Sequence, residues 1–287
     1  MRGRILSIVS KNYTVRLDSG ETVRAVAMGK VRLQFTPYAG DLVELRLTDG
    51  QYGIDRILPR TNCLKRPAVA NVDQALIVMS VKDPVFSSVL VDRLSFLIAD
   101  AGIEPVLIIT KTDLGISDEL EAIIQDYEKG PIKVIRTAKD TLEPELAGIL
   151  SGRISVLTGQ SGAGKSTLLN TLEPSFHLAT QEISKALGRG KHTTRHNELH
   201  AVAGGWVADT PGFSSLDFSH MSAEDLAYSV IEFRPHLGCC RFNDCIHQNE
   251  PGCAVKEAVE AGEISRSRYD NYLAVLKMIQ SRKEKYL

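Results

Sequence analysis

The chain has 287 residues, with 34 Lys and Arg against 35 Asp and Glu, a formal net charge of -1 and a hydrophobic fraction of 43%. That length suits two or three domains, and the ordinary globular composition excludes collagen-like and wholly disordered classes. No apolar run approaches the roughly 18 residues that span a bilayer, and the N-terminal MRGRILSIVSKNYTVRL lacks the apolar core of a signal peptide, so a soluble cytoplasmic protein is expected.

From the N-terminus, RGRILSIVS, NYTVRLDSG, ETVRAVAM, DLVELRLT and QYGIDRILP are short segments rich in aliphatic and β-branched residues. The turn signals Asp18-Ser19-Gly20 and Asp49-Gly50 punctuate them. Five strands in about 60 residues, without a long helix, suit a small closed barrel. An OB-fold is the natural candidate for residues 1–62, and an SH3-like barrel also fits the pattern. This stretch carries a net charge of +4, against -4 for residues 63–217 and -1 for residues 218–287. A basic module beside an acidic one points toward a polyanion partner, although chance scatter of charge explains it equally well.

Past residue 70 the period changes. QALIVMSV reads as a buried strand, and SSVLVDRLSFLIADAG as a helix with Leu90, Leu94, Leu97 and Ile98 on one face, closed by Gly102. PVLIIT is a second buried strand. A helix over ISDELEAIIQDYEKG, N-capped by Ser117, precedes the strands IKVIRTA, RISVLTG and GWVADT. The alternation predicts an α/β domain over 63–217 with a parallel sheet covered on both faces.

The loops at these strand ends carry the chemistry. Thr110-Lys111-Thr112-Asp113 follows PVLIIT, and Thr137-Ala138 ends IKVIRTA. A carboxylate at Asp113 can accept the N1–H and N2–H₂ of guanine, which adenine lacks, and an unpaired buried acceptor penalises the wrong base. The Lys111 stem can lie over the purine, and the Ala138 N–H can donate to guanine O6. Gly159-Gln160-Ser161-Gly162-Ala163-Gly164-Lys165-Ser166-Thr167, between the strand RISVLT and the helical TLLNTL, matches the P-loop pattern. Its glycines let backbone N–H groups cradle phosphates, Lys165 reaches the β- and γ-phosphates, and the Ser166 hydroxyl binds Mg²⁺. Asp209-Thr210-Pro211-Gly212 follows GWVADT; Asp209 can hold Mg²⁺ through water, and the Gly212 N–H can sense a γ-phosphate. In ordinary P-loop GTPases the phosphate loop comes first. Here the base-reading loops precede it, and all can still gather at the carboxyl ends of one sheet, so the chain reads as a circularly permuted GTPase.

After residue 217 the strand signal ends. Ser222-Ala223-Glu224-Asp225 resembles a capping box before a helix with Leu226, Val230 and Phe233 on one stripe. A terminal helix carries Tyr269, Tyr272, Leu273, Leu276 and Ile279 on one face. Between them lie Cys239, Cys240, Cys245, His247 and Cys253, with Cys63 far upstream. Cys240-x4-Cys245-x-His247-x5-Cys253 offers three thiolates and an imidazole, a set suited to a closed tetrahedral Zn²⁺ site. Cys239 is an ambiguous fifth thiol, since adjacent residues seldom ligate one ion. Free buried thiols are the alternative.

The small N-terminal barrel, GQSGAGKST and DTPGF in permuted order, and CRFNDCIHQNEPGC together resemble the RsgA (YjeQ/YloQ) family of bacterial circularly permuted GTPases, over nearly the whole chain. The resemblance implies an OB-fold that contacts ribosomal RNA, a GTP-hydrolysing centre acting in small-subunit assembly, and a C-terminal zinc domain over 218–287 that helps dock the ribosome. It carries the metal ligands onto Cys240, Cys245, His247 and Cys253 and leaves Cys239 spare. Thr110 departs from the Asn with which most such GTPases brace the P-loop; the change is expected to be tolerated, since Asp113 holds the base-reading role, with weaker guanine affinity. Gly188–Arg195 looks like the family's mobile switch, with Thr194, favoured over Thr193, binding Mg²⁺ only while the γ-phosphate is present.

Phe213 follows DTPG where many GTPases place a water-orienting glutamine, so slow intrinsic turnover and stimulation by small subunits are expected. His192 is the candidate for orienting the water, and a solvent-facing loop histidine is the plain alternative. Arg2, Arg4, Arg16, Arg24, Lys30 and Arg32 are candidate RNA contacts. A monomer is expected. A nucleotide-dependent metabolic enzyme and a nucleotide-gated RNA-binding module with negligible catalysis are the competing classes.

Overall fold

A computed structural model of the chain describes residues 1–28, 36–65, 68–139, 141, 144–174, 198–208 and 216–283. Packing separates two compact units, Met1–Ala75, Asp140–Thr158 and Lys165–Gly212 in the first and Leu76–Lys139, Gly159–Gly164 and Phe213–Leu287 in the second.

The first unit opens with β1 (Arg2–Val9), β2 (Asn12–Leu17), β3 (Thr22–Ala27), β4 (Leu42–Thr48) and β5 (Gln51–Ile57), closed into a barrel in the order β1-β2-β3-β5-β4. Neighbours pair antiparallel except β3 and β5, which run parallel. This Greek-key order is that of an OB-fold rather than an SH3-like barrel. Period-two alternation builds its core: Tyr13, Val15 and Leu17 of β2 and Val23, Ala25 and Ala27 of β3 fill the interior with Ile5, Val43 and Ile54. Asp49 and Gly50 link β4 to β5 with φ of 50° and 76°, a two-residue hairpin turn these residue types tolerate. At the barrel exit the Arg60 guanidinium donates to both oxygens of the fully buried Asp41 carboxylate, at 2.7 and 2.8 Å. A short hairpin of β6 (Cys63–Lys65) and β7 (Ala68–Ala70) follows.

β8 (Gln74–Ser80), β9 (Glu104–Thr110), β10 (Lys133–Arg136), β11 (Ile154–Gly159), β12 (Leu199–Val202) and β13 (Gly205–Ala208) form a six-stranded sheet in the order β10-β9-β8-β11-β13-β12. All seven residues of β8 are buried, the pattern of a strand covered on both faces. β10 runs parallel to β9 and β11 to β13, but β12 is antiparallel to β13, so the sheet is mixed rather than wholly parallel. The reversal is a tight hairpin at Ala203 and Gly204, with φ of 47° and 76°.

In the second unit, α1 (Ser88–Asp100) starts at Ser87 and α2 (Asp118–Lys129) at Ser117, each hydroxyl accepting the N–H of the third residue on. Two further helices, α3 (Pro144–Leu150) and α4 (Lys165–Leu172), belong to the first unit. The C-terminal part comprises α5 (Ala223–Ser229), a 3₁₀ segment Ile231–His236, α6 (Ala254–Glu260) and α7 (Arg266–Lys283). The capping box at α5 is present: Ser222 Oγ accepts from Asp225 N–H at 3.0 Å, and Asp225 Oδ2 accepts from Ser222 N–H at 2.9 Å.

α1 is buried on more than the single face its pattern suggests, because α5 and α7 pack against it. Phe96 and Leu97 share a core with Phe218, Leu226, Phe233, Tyr272 and Leu276. Asp92, also buried, accepts from Tyr127 Oη at 2.7 Å and Asn271 Nδ2 at 2.6 Å. The buried guanidinium of Arg268 on α7 donates to Glu232 at 2.5 Å, lies 3.4 Å from Asp92 and stacks 4.1 Å over the Tyr127 ring. Among the described residues no helix is long and apolar enough to cross a membrane.

Candidate functional site

The candidate base-reading loops sit at strand ends. Thr137 N–H donates to the Ile109 carbonyl at 2.7 Å and Thr112 N–H to the Thr137 carbonyl at 3.3 Å, which joins the end of β9 to that of β10. Asp113 sits in a 3₁₀ turn, Thr112–Leu114, and its Oδ1 accepts the Lys139 N–H at 3.0 Å. Each carboxylate oxygen keeps further lone pairs for other donors. Lys111 adopts a left-handed backbone, φ 61°.

Thr110 is buried, and its hydroxyl lies 2.6 Å from the Ala163 carbonyl and 3.2 Å from that of Met79. The single hydroxyl proton favours the shorter contact, so Thr110 ties the base-reading loop to the phosphate loop without an amide side chain.

β11 ends at Gly159, whose φ is 116°; a Cβ there would meet the Val78 carbonyl oxygen at 2.1 Å, so the residue must be glycine. Gln160 is half-buried, Ser161 and Gly162 are exposed, Ala163 is buried and Gly164 is half-buried. The chain enters α4 at Lys165. Burial pulls the Lys165 ammonium below the ordinary lysine range, a penalty that phosphate charge would offset. Ser166 is buried in the first turn of α4, and Thr167 is half-buried behind it. Of the residues suited to Mg²⁺, Ser166 is thus held at a helix N-terminus. Asp209, Gly212, Phe213, His192, Thr193, Thr194, Lys30 and Arg32 lie outside the described residues.

The cysteine-rich loop between the 3₁₀ segment and α6 gathers Cys240, Cys245, His247 and Cys253, whose ligand atoms lie within 4.8 Å of one another. His247 Nδ1 is 3.6 Å from Cys240 Sγ and 3.4 Å from both Cys245 Sγ and Cys253 Sγ, and Cys240 Sγ is 4.0 Å from Cys253 Sγ. A tetrahedron of Zn–S and Zn–N bonds has sulfur–sulfur edges of about 3.8 Å and sulfur–nitrogen edges of about 3.6 Å. The donor set therefore fits zinc in size and chemistry. Exposed Cys239 points its thiol toward the Leu237 carbonyl, 4.0 Å away.

The surroundings hold this loop. His247 has φ 59°, and its carbonyl accepts Tyr269 Oη at 2.7 Å; Tyr272 Oη donates to the Ile246 carbonyl. The Glu250 carboxylate accepts three backbone N–H groups, from Ile246, Gln248 and Asn249, at 2.8–3.1 Å. Burial pushes the Cys245 thiol up to about 12 and raises that of Cys253, while it lowers the His247 imidazole, so loading a metal releases protons from the thiols.

Sequence reasoning missed Arg268, Asp92 and Glu232, since charged residues within a helical pattern read as solvent face. It also missed Glu250, for which the only signal is the turn-forming Asn249-Glu250-Pro251-Gly252.

A phosphate loop that follows its base-reading loops in the chain, on a sheet that carries both, defines a circularly permuted P-loop GTPase. The RsgA GTPase family model matches residues 57–219. The chain is 46% identical over 293 positions to Small ribosomal subunit biogenesis GTPase RsgA 2 of Oceanobacillus iheyensis, with 99% of each covered. It superposes on the crystal structure of YloQ, a circularly permuted GTPase, with a TM-score of 0.84 at 35% identity, over 98% of this chain and 95% of that one. YjeQ from Thermotoga maritima gives 0.83 at 36% identity, over 97% and 98%. The chain belongs to the RsgA GTPase family.

Proposed function

We propose that this chain hydrolyses GTP to GDP and phosphate in the cytoplasm during late assembly of the small (30S) ribosomal subunit, with the subunit stimulating turnover. The observation that carries the reading is the tie between the guanine loop and the phosphate loop, Thr110 Oγ1 to the Ala163 carbonyl at 2.6 Å, in permuted chain order. Relatives that share about 45% of their residues over nearly their whole length are named for small-subunit biogenesis, which supports the ribosomal partner.

In this reading Asp113 and Ala138 select guanine, Lys111 covers it, and the backbone of Gly159–Gly164 cradles the phosphates. Lys165 balances charge on the β- and γ-phosphates as the transition state spreads it over the oxygens. Ser166, with Asp209 and Thr194, would hold Mg²⁺, which supplies further neutralisation when bound. Phe213 offers the attacking water no hydrogen bond, so intrinsic hydrolysis is slow, and either His192 or a group from the ribosome orients the water. Cys240, Cys245, His247 and Cys253 hold one structural Zn²⁺.

We assign residues 1–62 to RNA contact, 63–217 to the nucleotide and 218–287 to the zinc-stabilised docking part of a monomer. Arg2, Arg16 and Arg24 are exposed on the barrel. Arg4 is drawn inward instead and donates to the Gly40 carbonyl at 3.3 Å.

The test is phosphate release from GTP with and without purified small subunits, with Asp113→Asn as control. Stimulation by small but not large subunits, lost in the control, is expected. A rate indifferent to ribosomes would overturn the ribosomal part and leave nucleotide hydrolysis alone.

A further inference from the structure

The turn that follows β8 belongs to no nucleotide-binding motif, yet it touches both loops of the site. Ser80, the last residue of β8, is fully buried, and its hydroxyl donates to the Pro84 carbonyl at 2.8 Å. That bond closes Val81–Pro84 into a return in which Asp83 takes a left-handed backbone, φ 47°. Val81 N–H donates to the Thr110 carbonyl at 3.1 Å, which fixes the turn to the start of the base-reading loop. The Lys82 and Asp83 carbonyls both accept from Lys111 Nζ, the former at 3.4 Å. Pro84 faces the phosphate loop, where a methyl on Gly162 would meet its ring at 3.7 Å.

A lysine ammonium is a strongly hydrated charge on a flexible four-carbon stem, and ordering it for stacking costs rotamer entropy. Two carbonyls that grip Nζ settle that cost before the nucleotide arrives. We propose that Ser80 is a positioning residue for the guanine nucleotide: it locks the Val81–Pro84 turn, which presents the Lys82 and Asp83 carbonyls to Lys111 and sets the lysine stem over the purine. The proposal rests on the GTPase reading above. It concerns binding energy shared by ground and transition states, so it acts on affinity and not on the phosphate step.

The test is titration of the full chain with a fluorescent N-methylanthraniloyl GDP, alongside GTP turnover. Binding by the wild type that is lost in Asp113→Asn establishes the site; no binding by the wild type would overturn the GTPase reading and this proposal with it. Ser80→Ala is expected to weaken GDP binding and raise KM about tenfold, with kcat at saturating GTP unchanged. In a Lys111→Met background Ser80→Ala should have no further effect, because both act through the same contact. Wild-type affinity in Ser80→Ala, or additive losses in the double variant, would overturn the assignment. Should Ser80→Ala fail to fold, hydrogen exchange decides: saturating GDP should protect the amides of Lys82, Asp83 and Val85 in the wild type but not in Lys111→Met. Equal protection in both, or none in either, would overturn it.

Discussion

Thr110 shows how one side chain can replace another by supplying the same bond from a different group. An asparagine amide has two hydrogens to donate, and the threonine hydroxyl has one, which the 2.6 Å contact to the Ala163 carbonyl takes. Thr110→Val keeps the shape and removes the buried hydrogen bond to the Ala163 carbonyl, at a cost of about 1–3 kcal/mol. GDP binding should weaken by roughly ten- to a hundredfold, as isothermal titration would read, while Thr110→Ser should stay near wild type. From the sequence, threonine here is a tolerated substitution that weakens guanine affinity; the geometry adds that its hydroxyl contacts the phosphate loop. At the cysteine loop, Cys245→Ala should lose stoichiometric zinc by elemental analysis and Cys239→Ala should keep it, because only Cys245 lies within the tetrahedron.

At the scale of elements, the contact of α7 with α1 runs through a buried charge cluster. Arg268→Leu leaves Asp92 and Glu232 buried without their cation, and should destabilise the chain by about 3–5 kcal/mol in urea unfolding. Replacing all three by leucine should recover only part of that loss, since it removes the buried charges but takes the Asp92 acceptor from Tyr127 Oη and Asn271 Nδ2. The capping box of α5 gives a pH dependence. Backbone and side-chain hydrogen bonds from Ser222 hold the Asp225 carboxyl below the usual range. Its contribution is complete above the unfolded value near 4, and it is lost as pH falls through the lower folded value. The slope of Tm against pH below about 4 should therefore flatten in Asp225→Ala.

For the whole molecule, binding to small subunits should weaken steeply with added salt if Arg2, Arg16 and Arg24 meet phosphates. Most of the architecture was legible because β2 and β3 alternate cleanly, the central strands are unbroken aliphatic runs, and Ser117 and Ser222 cap their helices in sequence. β12 was not, since Leu199–Val202 is four residues with a histidine among them. The antiparallel edge rests on a turn at Ala203 and Gly204 that resembles no common hairpin signal. The β6–β7 hairpin, three residues a strand, is below what periodicity can detect. The nucleotide and zinc motifs stood out because they are local in the chain. The Ser80 turn and the Arg268 cluster did not, because each becomes visible only when distant segments meet.

The burial of α1 beneath α7 also sets an order of events during synthesis. Phe96 and Leu97 leave the ribosome some 170 residues before Arg268, Tyr272 and Leu276 can cover them. A nascent chain halted before Arg266 would present a greasy helix face and two carboxylates awaiting their cation, which is the kind of surface chaperones hold. α7 is thus the clasp that closes the core over α1, and its arrival should mark the moment a growing chain becomes resistant to protease.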